Sequence, residues 1–275
     1  MIDNEEMRKI MAYMRGHWPS LVREEWRVKD EQYPELVKKV FKDWTAEATQ
    51  GRRFFRVAGQ SGSGKTTQLL PAAEAWFEAR GGRPVLVAAR RLVKYHPFAE
   101  EIRQEYGDSQ QREMTHEVTT ILMFLMLKEL ILGGYDMILD VTLLDPTVEG
   151  LLMKMLKAMG YEVRLNMMAV SRAISDELIA RRQQTSRTKR MVAQKTATEF
   201  WRATRVALEF YVEKFPELLV VVWNAWSVAP VFDGKLGDAR FMEAMKKYWT
   251  IDDLPESVGE DKLREAKIRY MRSWA

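Results

Sequence analysis

The chain has 275 residues and a formal net charge of +4, and 47% of its residues are hydrophobic, which is enough apolar material for one large globular α/β domain. The absence of cysteine excludes disulfides, thiolate metal sites and cysteine nucleophiles. No apolar run is long enough to cross a membrane and the charged N-terminus differs from a signal peptide, so we expect a cytoplasmic protein without a membrane partner.

The first 50 residues are predicted to form a helical extension that packs on the main domain. The segment from Tyr33 to Ala48 carries apolar residues at helical spacing, namely Leu36, Val37, Val40, Phe41 and Trp44. The sequence contains no interdomain linker, internal repeat or low-complexity segment. We therefore divide the chain into the extension, residues 1–50, and a single main domain, residues 51–275.

A glycine-rich loop follows the first predicted strand. That strand is RFFRVAG, from Arg53 to Gly59, and the loop GQSGSGKTT at residues 59–67 fits the spacing G-x-x-x-x-G-K-[ST]. A helix from Thr67 to Ala79 is predicted to follow, so that its N-terminus points at the loop. A chance match of a turn rich in glycine and serine is the alternative, but the order of strand, loop and helix favours a P-loop.

Such a loop binds the phosphates of a nucleotide, because glycines let backbone N–H groups approach a crowded anion. Lys65 would reach the β- and γ-phosphates as a catalytic residue, and the Thr66 hydroxyl would bind Mg²⁺. We therefore expect ATP or GTP together with Mg²⁺. The predicted nucleotide-binding residues are Gly59, Gln60, Ser61, Gly62, Ser63, Gly64, Lys65, Thr66 and Thr67.

Strands and helices alternate along the rest of the chain. The apolar run VLVAA at residues 85–89 predicts a second strand, a helix should open after Pro97, and residues 110–134 predict one long helix closed by glycines. Further strands are predicted in YDMILDVT, YEVRLNMMAV and ELLVVVWNA, and a helix with Asp145 as its N-cap separates the first two. This order indicates an α/β fold of the P-loop kinase type, with a mostly parallel central sheet and helices on both faces.

The order of the motifs resembles the zeta toxin family of P-loop kinases across residues 50–230 or so. The resemblance rests on AGQSGSGKTT, on HPFAEEIRQEYGD after the second strand, on LGGYDMILDVTLLD and on LKAMGYEVRLNMMAV. It implies phosphorylation of a sugar hydroxyl of a nucleotide sugar such as UDP-N-acetylglucosamine, or of a related nicotinamide dinucleotide. It also implies a toxin or effector restrained by an inhibitory, antitoxin-like protein.

One position departs from the family pattern. The family has an aspartate six residues before the His-Pro pair, where it takes the proton of the acceptor hydroxyl, whereas this chain has Arg90; Val93 replaces a family arginine. An arginine stays protonated at ordinary pH and cannot act as a general base. Either another acid replaces the aspartate, or the chain is a degenerate kinase that serves as a nucleotide-binding or protein-partner module.

Asp140 is the leading replacement acid, because it ends an apolar strand and the ends of parallel strands face the ligand crevice. We expect it to act in catalysis or to bind Mg²⁺, and a local turn or cap residue is the alternative. Thr142 matches a family threonine and would contact the acceptor or only the turn. His96 is a further candidate for acceptor binding, although its place beside Pro97 also fits a residue that fixes the loop by hydrogen bonding.

The basic stretch ARRQQTSRTKR is predicted to form a lid near residues 181–190. By the resemblance, Arg181 and Arg187 would contact the γ-phosphate and stabilise the charge that develops during transfer. The alternatives are a solvated helix face and contact with a polynucleotide backbone. Because the stretch has no accompanying groove of stacking aromatics, we do not expect a nucleic acid partner.

Overall fold

The computed structural model describes residues 4–17, 19–60, 62–141, 145–185, 194–250 and 259–274. Its strands are β1 (Arg53–Ala58), β2 (Val85–Val87), β3 (Met137–Asp140), β4 (Glu162–Met168), β5 (Leu219–Trp223) and β6 (Phe232–Lys235). They form one sheet in the order β2-β3-β1-β4-β5-β6. The pairs among β1 to β5 are parallel, and β6 runs antiparallel to β5 at the edge.

Helices cover both faces of this sheet. The helices are α1 (Asn4–His17), α2 (Tyr33–Thr45), α3 (Leu70–Ala79), α4 (Ala89–Leu92), α5 (Ala99–Met114), α6 (His116–Leu132), α7 (Pro146–Ala158), α8 (Arg172–Thr185), α9 (Gln194–Lys214), α10 (Ala239–Thr250) and α11 (Glu260–Ser273). Phe54 of β1 faces a core built with α2, α6, α7, α9 and α10, whereas Phe55 faces a core built with α3, α8 and α11. The predicted α/β fold with a mostly parallel sheet is therefore confirmed.

Continuous apolar runs form the central strands because both faces of the sheet are covered. All four residues of β3 and the last five of β1 are buried. The antiparallel strand β6 was not predicted, since its sequence FDGK is short, polar and only half buried. Among the described residues, no helix combines the length and the apolar character needed to span a membrane.

The prediction of one long helix at residues 110–134 is wrong, because these residues span the end of one helix and the whole of the next. Helix α5 runs on to Met114 past a kink at Gly107, and α6 begins only at His116. Between them, the buried Thr115 donates its hydroxyl to the Gln111 carbonyl at 2.9 Å. A threonine whose hydroxyl bonds to a carbonyl of the preceding turn favours a bend in the helix. The spacing of apolar residues carries no sign of this hydrogen bond, so the break was not predicted.

The N-terminal extension shares its core with the sheet. Tyr33, Val40 and Trp44 are buried in the same cluster as Phe54 of β1, and α1 and α2 both pack on α6. The extension is also tied to the segment after β2, because Tyr95 donates to the Asp43 carboxylate at 2.9 Å. The division of the chain at residue 50 stays a prediction.

A buried group of polar side chains crosses the layer between β1 and two helices. Arg56 of β1 pairs with Glu149 of α7, and Tyr211 of α9 donates to the same carboxylate at 2.7 Å. Burial raises the pKa of Tyr211, and the negative charge of Glu149 adds to the rise. This cluster joins the strand that leads into the glycine-rich loop to both helices above it.

Candidate active site

The glycine-rich loop and Asp140 lie side by side at the carboxyl edge of the sheet. Val57, two residues before Gly59, pairs in register with Asp140 at the end of β3. Neighbouring strands lie about 5 Å apart, so Asp140 lies beside the end of β1, the strand that leads into the loop. In an open α/β sheet, ligands bind in the crevice at this edge.

The loop is shaped as a cradle of bare backbone. Gly59 and Gly62 have φ values of 137° and 76°, which side chains rarely adopt. A Cβ atom at Gly59 would lie 2.9 Å from the Ser63 hydroxyl, and one at Gly62 would lie 2.5 Å from the Ser175 carbonyl oxygen. The space a side chain would need is therefore already filled, and a polyphosphate fits against the loop only through backbone N–H groups.

Two loop side chains hold the cradle in shape. Gln60 is buried and donates to the Val170 carbonyl beyond β4 at 2.6 Å, while the buried Ser63 donates to the Gln60 carbonyl at 2.8 Å. Both are predicted nucleotide-binding residues, and because their side chains point into the protein, only their backbone groups are left to contact a nucleotide. Ser61 lies outside the described residues.

Three further loop residues present polar groups to the crevice. Lys65 donates to the carbonyls of Gly59 and Gln60 at 2.6 and 2.7 Å, so its ammonium group lies against the loop. Thr66 and Thr67 are exposed where the following helix starts. That helix opens with a wide π turn over Lys65–Leu69 before α3 begins, which places the first backbone N–H groups at the loop.

Asp140 is paired with the residue that replaces the family acid. The Arg90 Nη1 atom lies 2.5 Å from the Asp140 Oδ2 atom; the aspartate side chain is 3% exposed and the arginine side chain 27%. The pairing follows from strand order, because β2 and β3 are neighbours and Arg90 lies in α4 directly after β2. This contact was not predicted, although the sequence places a charged residue at or just after the carboxyl end of two successive strands, Asp140 at the end of β3 and Arg90 after β2.

A cavity of about 590 Å³ opens beside Arg90. Its lining comes from α4, the start of α5 and the residue Gln111, and consists of Arg90, Arg91, Val93, Lys94, Ala99, Glu100 and Gln111. The guanidinium of Arg90 therefore belongs both to this cavity and to the ion pair at the end of β3. A molecule in the cavity would therefore meet the residue that pairs with Asp140.

His96 is buried in the turn that leads into α5. Its Nδ1 atom accepts a hydrogen bond from the Phe98 backbone N–H at 3.2 Å, and it is only 3% exposed. Burial lowers its pKa to about 4, so the ring is neutral at pH 7 and carries its proton on Nε2. This geometry matches the loop-fixing role considered from sequence, and contact with an acceptor stays a prediction.

The predicted lid is described only in part. Arg181 belongs to α8, and α8 rests on the glycine-rich loop through the Ser175 carbonyl and the Ile179 side chain, which approach Gly62. Arg187 and Thr142 lie outside the described residues. The helix that carries the first lid residues thus touches the loop within two residues of Arg181.

The donor set at the loop suits magnesium better than a transition metal. No group of three or more histidine, aspartate or glutamate side chains that could hold a metal occurs in the described ranges. Mg²⁺ takes few protein ligands and keeps waters and phosphate oxygens. The Thr66 hydroxyl and the Asp140 carboxylate, which pairs with Arg90 in this structure, are the hard oxygen donors predicted for such a partial site.

A protein-family model described as Zeta toxin matches residues 36–234, which include most of α2, all five parallel strands and most of β6. This chain belongs to the zeta toxin family. It is accordingly a member of a family of P-loop kinases. None of the curated protein sequences matches this chain.

Two solved structures share the fold of this chain. The chain is similar to a structure from the PezAT chromosomal toxin–antitoxin system of Streptococcus pneumoniae, with a TM-score of 0.66 and 17% identity over 90% of this chain and 100% of that one. It is also similar to the AvrRxo1-ORF1:-ORF2 complex with ATP, with a TM-score of 0.56 and 13% identity over 98% of this chain and 91% of that one. At these identities the likeness extends to the fold alone.

Proposed function

We propose that this chain is an ATP-dependent kinase that uses Mg²⁺ and phosphorylates a hydroxyl of a nucleotide sugar, such as UDP-N-acetylglucosamine, or of a related dinucleotide. The observation that carries the proposal is the backbone cradle with Lys65 next to the strand-end acid Asp140. Membership of a kinase family supports it, and a structural relative was solved with ATP. GTP is the other nucleotide that the loop chemistry allows.

In this proposal the nucleotide phosphates bind the backbone N–H groups of the loop from Gly59 to Thr67. Lys65 exchanges its two carbonyl acceptors for phosphate oxygens, which bear more negative charge and so form stronger hydrogen bonds. Thr66 would supply a hydroxyl ligand to Mg²⁺, which when bound would neutralise charge on the phosphates. Asp140 would be a second ligand only in the alternative in which it does not take the acceptor proton. Arg181 and Arg187 would add positive charge from the lid during transfer.

The transfer step forms a bond between the acceptor oxygen and the γ-phosphorus. The bond from that phosphorus to the β–γ bridging oxygen breaks, and ADP leaves with the electron pair. The acceptor hydroxyl loses its proton to the Asp140 carboxylate, which stands in for the family aspartate at position 90. Thr142 would hold the acceptor, and His96 would keep the turn before α5 in place.

The proposal is tested by measuring ADP release and the mass of UDP-N-acetylglucosamine and nicotinamide dinucleotide after incubation with ATP. Lys65→Ala and Asp140→Asn should each lower transfer by about 10²-fold or more, the usual cost of losing a charged or acid–base group. Calorimetry should show that Asp140→Asn changes ATP affinity less than Lys65→Ala does. Asp108→Asn, at an exposed acid on α5, is the control. Transfer that survives Asp140→Asn would remove Asp140 from the mechanism.

A degenerate kinase that works as a nucleotide-binding or protein-partner module is the second candidate. The Arg90–Asp140 ion pair favours it, since the one strand-end acid we predicted is occupied by an arginine. ATP binding without transfer to any acceptor would support this candidate. In that case Arg90→Asp, which restores the family acid, should create transfer activity.

We further propose that the chain acts as a toxin or effector in the cytoplasm and is held inactive by an antitoxin-like protein. One structural relative comes from a toxin–antitoxin system and another from an AvrRxo1-ORF1:AvrRxo1-ORF2 complex, which supports a protein partner of this kind. Expression of the chain alone should slow growth, and Lys65→Ala should abolish that effect. Equal growth with both proteins would contradict the toxin proposal.

A further inference from the structure

Arg90 stands where two features of the crevice meet. On one side its guanidinium pairs with the buried Asp140 carboxylate at 2.5 Å, and on the other it lines the cavity beside α4 and α5. A quarter of the Arg90 side chain remains exposed, so a molecule in the cavity can reach it. The same residue therefore controls access to Asp140 and contacts whatever fills the cavity.

The cavity carries an excess of positive charge. Arg90, Arg91 and Lys94 line it, and Glu100 is its one acidic lining residue. The Glu100 carboxylate is already engaged, because Arg103 donates to it in two hydrogen bonds at 2.9 and 2.5 Å. Because Arg90 pairs with Asp140, which lies outside the lining, Arg91 and Lys94 are the cations left without a matching anion from the lining.

Two contacts hold the Arg91 side chain in place beside the cavity. Its guanidinium donates to the Leu86 carbonyl at 2.6 Å and lies over the Trp44 ring at 5.0 Å from the ring centre. Burial lowers the pKa of Arg91, and the nearby charge of Arg90 lowers it further. An anion bound in the cavity would meet Arg91 as well as Arg90, because both residues line it.

We propose that Arg90 is a latch on Asp140, and that an anionic group of the acceptor, a phosphate or diphosphate, opens the latch by taking the Arg90 guanidinium into the cavity. The inference rests on the proposed function and names the residue through which its acceptor is recognised. Phosphate suits this role because a guanidinium can bind it through two parallel hydrogen bonds. Asp140 then becomes available to the acceptor hydroxyl only when a charged acceptor is present.

The burial of Asp140 explains why the latch would stay closed without an acceptor. A carboxylate at 3% exposure is costly to leave unpaired. When Arg90 leaves, another donor must meet that carboxylate: the acceptor hydroxyl when a complete acceptor is bound, or water when only a phosphate group fills the cavity. An uncharged sugar would bring the hydroxyl but could not draw Arg90 away.

Calorimetry with inorganic pyrophosphate tests the latch without relying on the identity of the acceptor. The glycine-rich loop is first saturated with a non-hydrolysable ATP analogue and Mg²⁺, so that pyrophosphate cannot bind there. Wild type, Arg90→Gln, Asp140→Asn and the double variant are compared, with Arg83→Gln at an exposed arginine as control. The double variant leaves no unpaired buried charge, so it reports on Arg90 even if Arg90→Gln folds poorly.

The latch predicts a defined pattern of affinities. Arg90→Gln should weaken pyrophosphate binding by about tenfold or more, the usual cost of a charge-assisted pair. Asp140→Asn should strengthen binding, because it removes the competitor for Arg90, and the double variant should show no such gain. Wild-type affinity in Arg90→Gln, a gain that persists in the double variant, or no saturable binding to wild type would each overturn the latch.

A second set of titrations separates the latch from the proposed function. UDP-N-acetylglucosamine should follow the pyrophosphate pattern, and uncharged N-acetylglucosamine should not respond to Arg90→Gln. If pyrophosphate follows the pattern but UDP-N-acetylglucosamine neither binds nor is phosphorylated, the latch stands and the proposed acceptor is wrong. If UDP-N-acetylglucosamine is phosphorylated while Arg90→Gln leaves its affinity unchanged, the function stands and the latch is wrong.

Discussion

The imidazole of His96 lies almost entirely out of solvent, and its one described acceptor role is toward the Phe98 backbone N–H. Burial lowers the pKa of this ring to about 4, because the charged form would lose its hydration. A histidine in this state is suited to holding a turn and poorly suited to exchanging protons at neutral pH. At the scale of the residue, the burial of His96 therefore decides its role more than the acid–base chemistry of its imidazole does.

His96 should therefore make the fold sensitive to acid. In the unfolded chain His96 has the ordinary pKa of 6.5, whereas in the folded protein its pKa is about 4. Between these two values the unfolded state binds the proton more strongly, so the free energy of unfolding falls as the pH drops from about 6.5 to about 4. His96→Asn retains an acceptor near the Nδ1 position and removes the titration. Urea unfolding at pH 7.5 and 4.5 should show that wild type loses up to about 3 kcal/mol more than the variant. Equal losses would contradict the burial of the ring.

At the scale of the element, the glycine-rich loop depends on the helix that follows β4. Helix α8 begins at Arg172 and rests on the loop at Gly62, through the Ser175 carbonyl and the Ile179 side chain. Gln60 adds a second tie from the loop to the Val170 carbonyl just before α8. The loop and the helix that leads into the predicted lid should therefore move together.

Gly62→Ala tests the contact between the loop and α8. The added Cβ atom would lie 2.5 Å from the Ser175 carbonyl oxygen, so the loop or the helix must shift, and ATP affinity measured by calorimetry should fall about tenfold or more. The matched control is Gly160→Ala, at a φ of 69° with no atom within 4 Å. It should cost only backbone strain of about 1–2 kcal/mol in stability. ATP affinity unchanged in Gly62→Ala would contradict the packing of α8 on the loop.

The predicted lid should be protected by nucleotide. Arg181 and the residues up to Arg190 offer several sites to a trypsin-like protease, and closure over ATP would bury them. Cleavage between these two residues should slow when ATP and Mg²⁺ are added, as followed by mass spectrometry. The Lys65→Ala protein should show no such slowing. Equal rates for wild type with and without nucleotide would reduce the stretch to a solvated surface.

At the scale of the whole molecule, one buried ionic cluster connects three elements, a strand and two helices. Arg56 of β1 is 2% exposed and pairs with Glu149 of α7, which also accepts from Tyr211 of α9. The Nε and Nη1 atoms of Arg56 have no hydrogen-bond partner in the part of the chain that the structure describes. Its charge is therefore compensated by Glu149, so removing that partner would leave a buried cation.

Glu149→Ala should destabilise the protein by about 3–5 kcal/mol, because it leaves the Arg56 guanidinium buried without its ion-pair partner. The double variant Arg56→Met, Glu149→Leu removes both charges and should lose much less. Tyr211→Phe, which removes one hydrogen bond, should lie between them at about 1–3 kcal/mol. Urea unfolding of the three proteins measures these differences. A loss below about 1 kcal/mol for Glu149→Ala would contradict the burial of the pair.

The sequence by itself determined the features that depend on local pattern. Apolar runs located the parallel strands, and the spacing of Gly59, Gly64 and Lys65 located the loop, because both signals arise within a few consecutive residues. The order of motifs predicted the family and the fold, and both are confirmed. The sequence also showed that Arg90 occupies the position of the family acid.

Only the tertiary structure decided what surrounds these residues. The pairing of Arg90 with Asp140 requires β2 and β3 to be neighbours. The contact of α8 with Gly62 likewise joins segments more than a hundred residues apart. Periodicity encodes which face of an element is buried, but it does not encode which element lies against that face, since partner choice depends on how all the layers pack together.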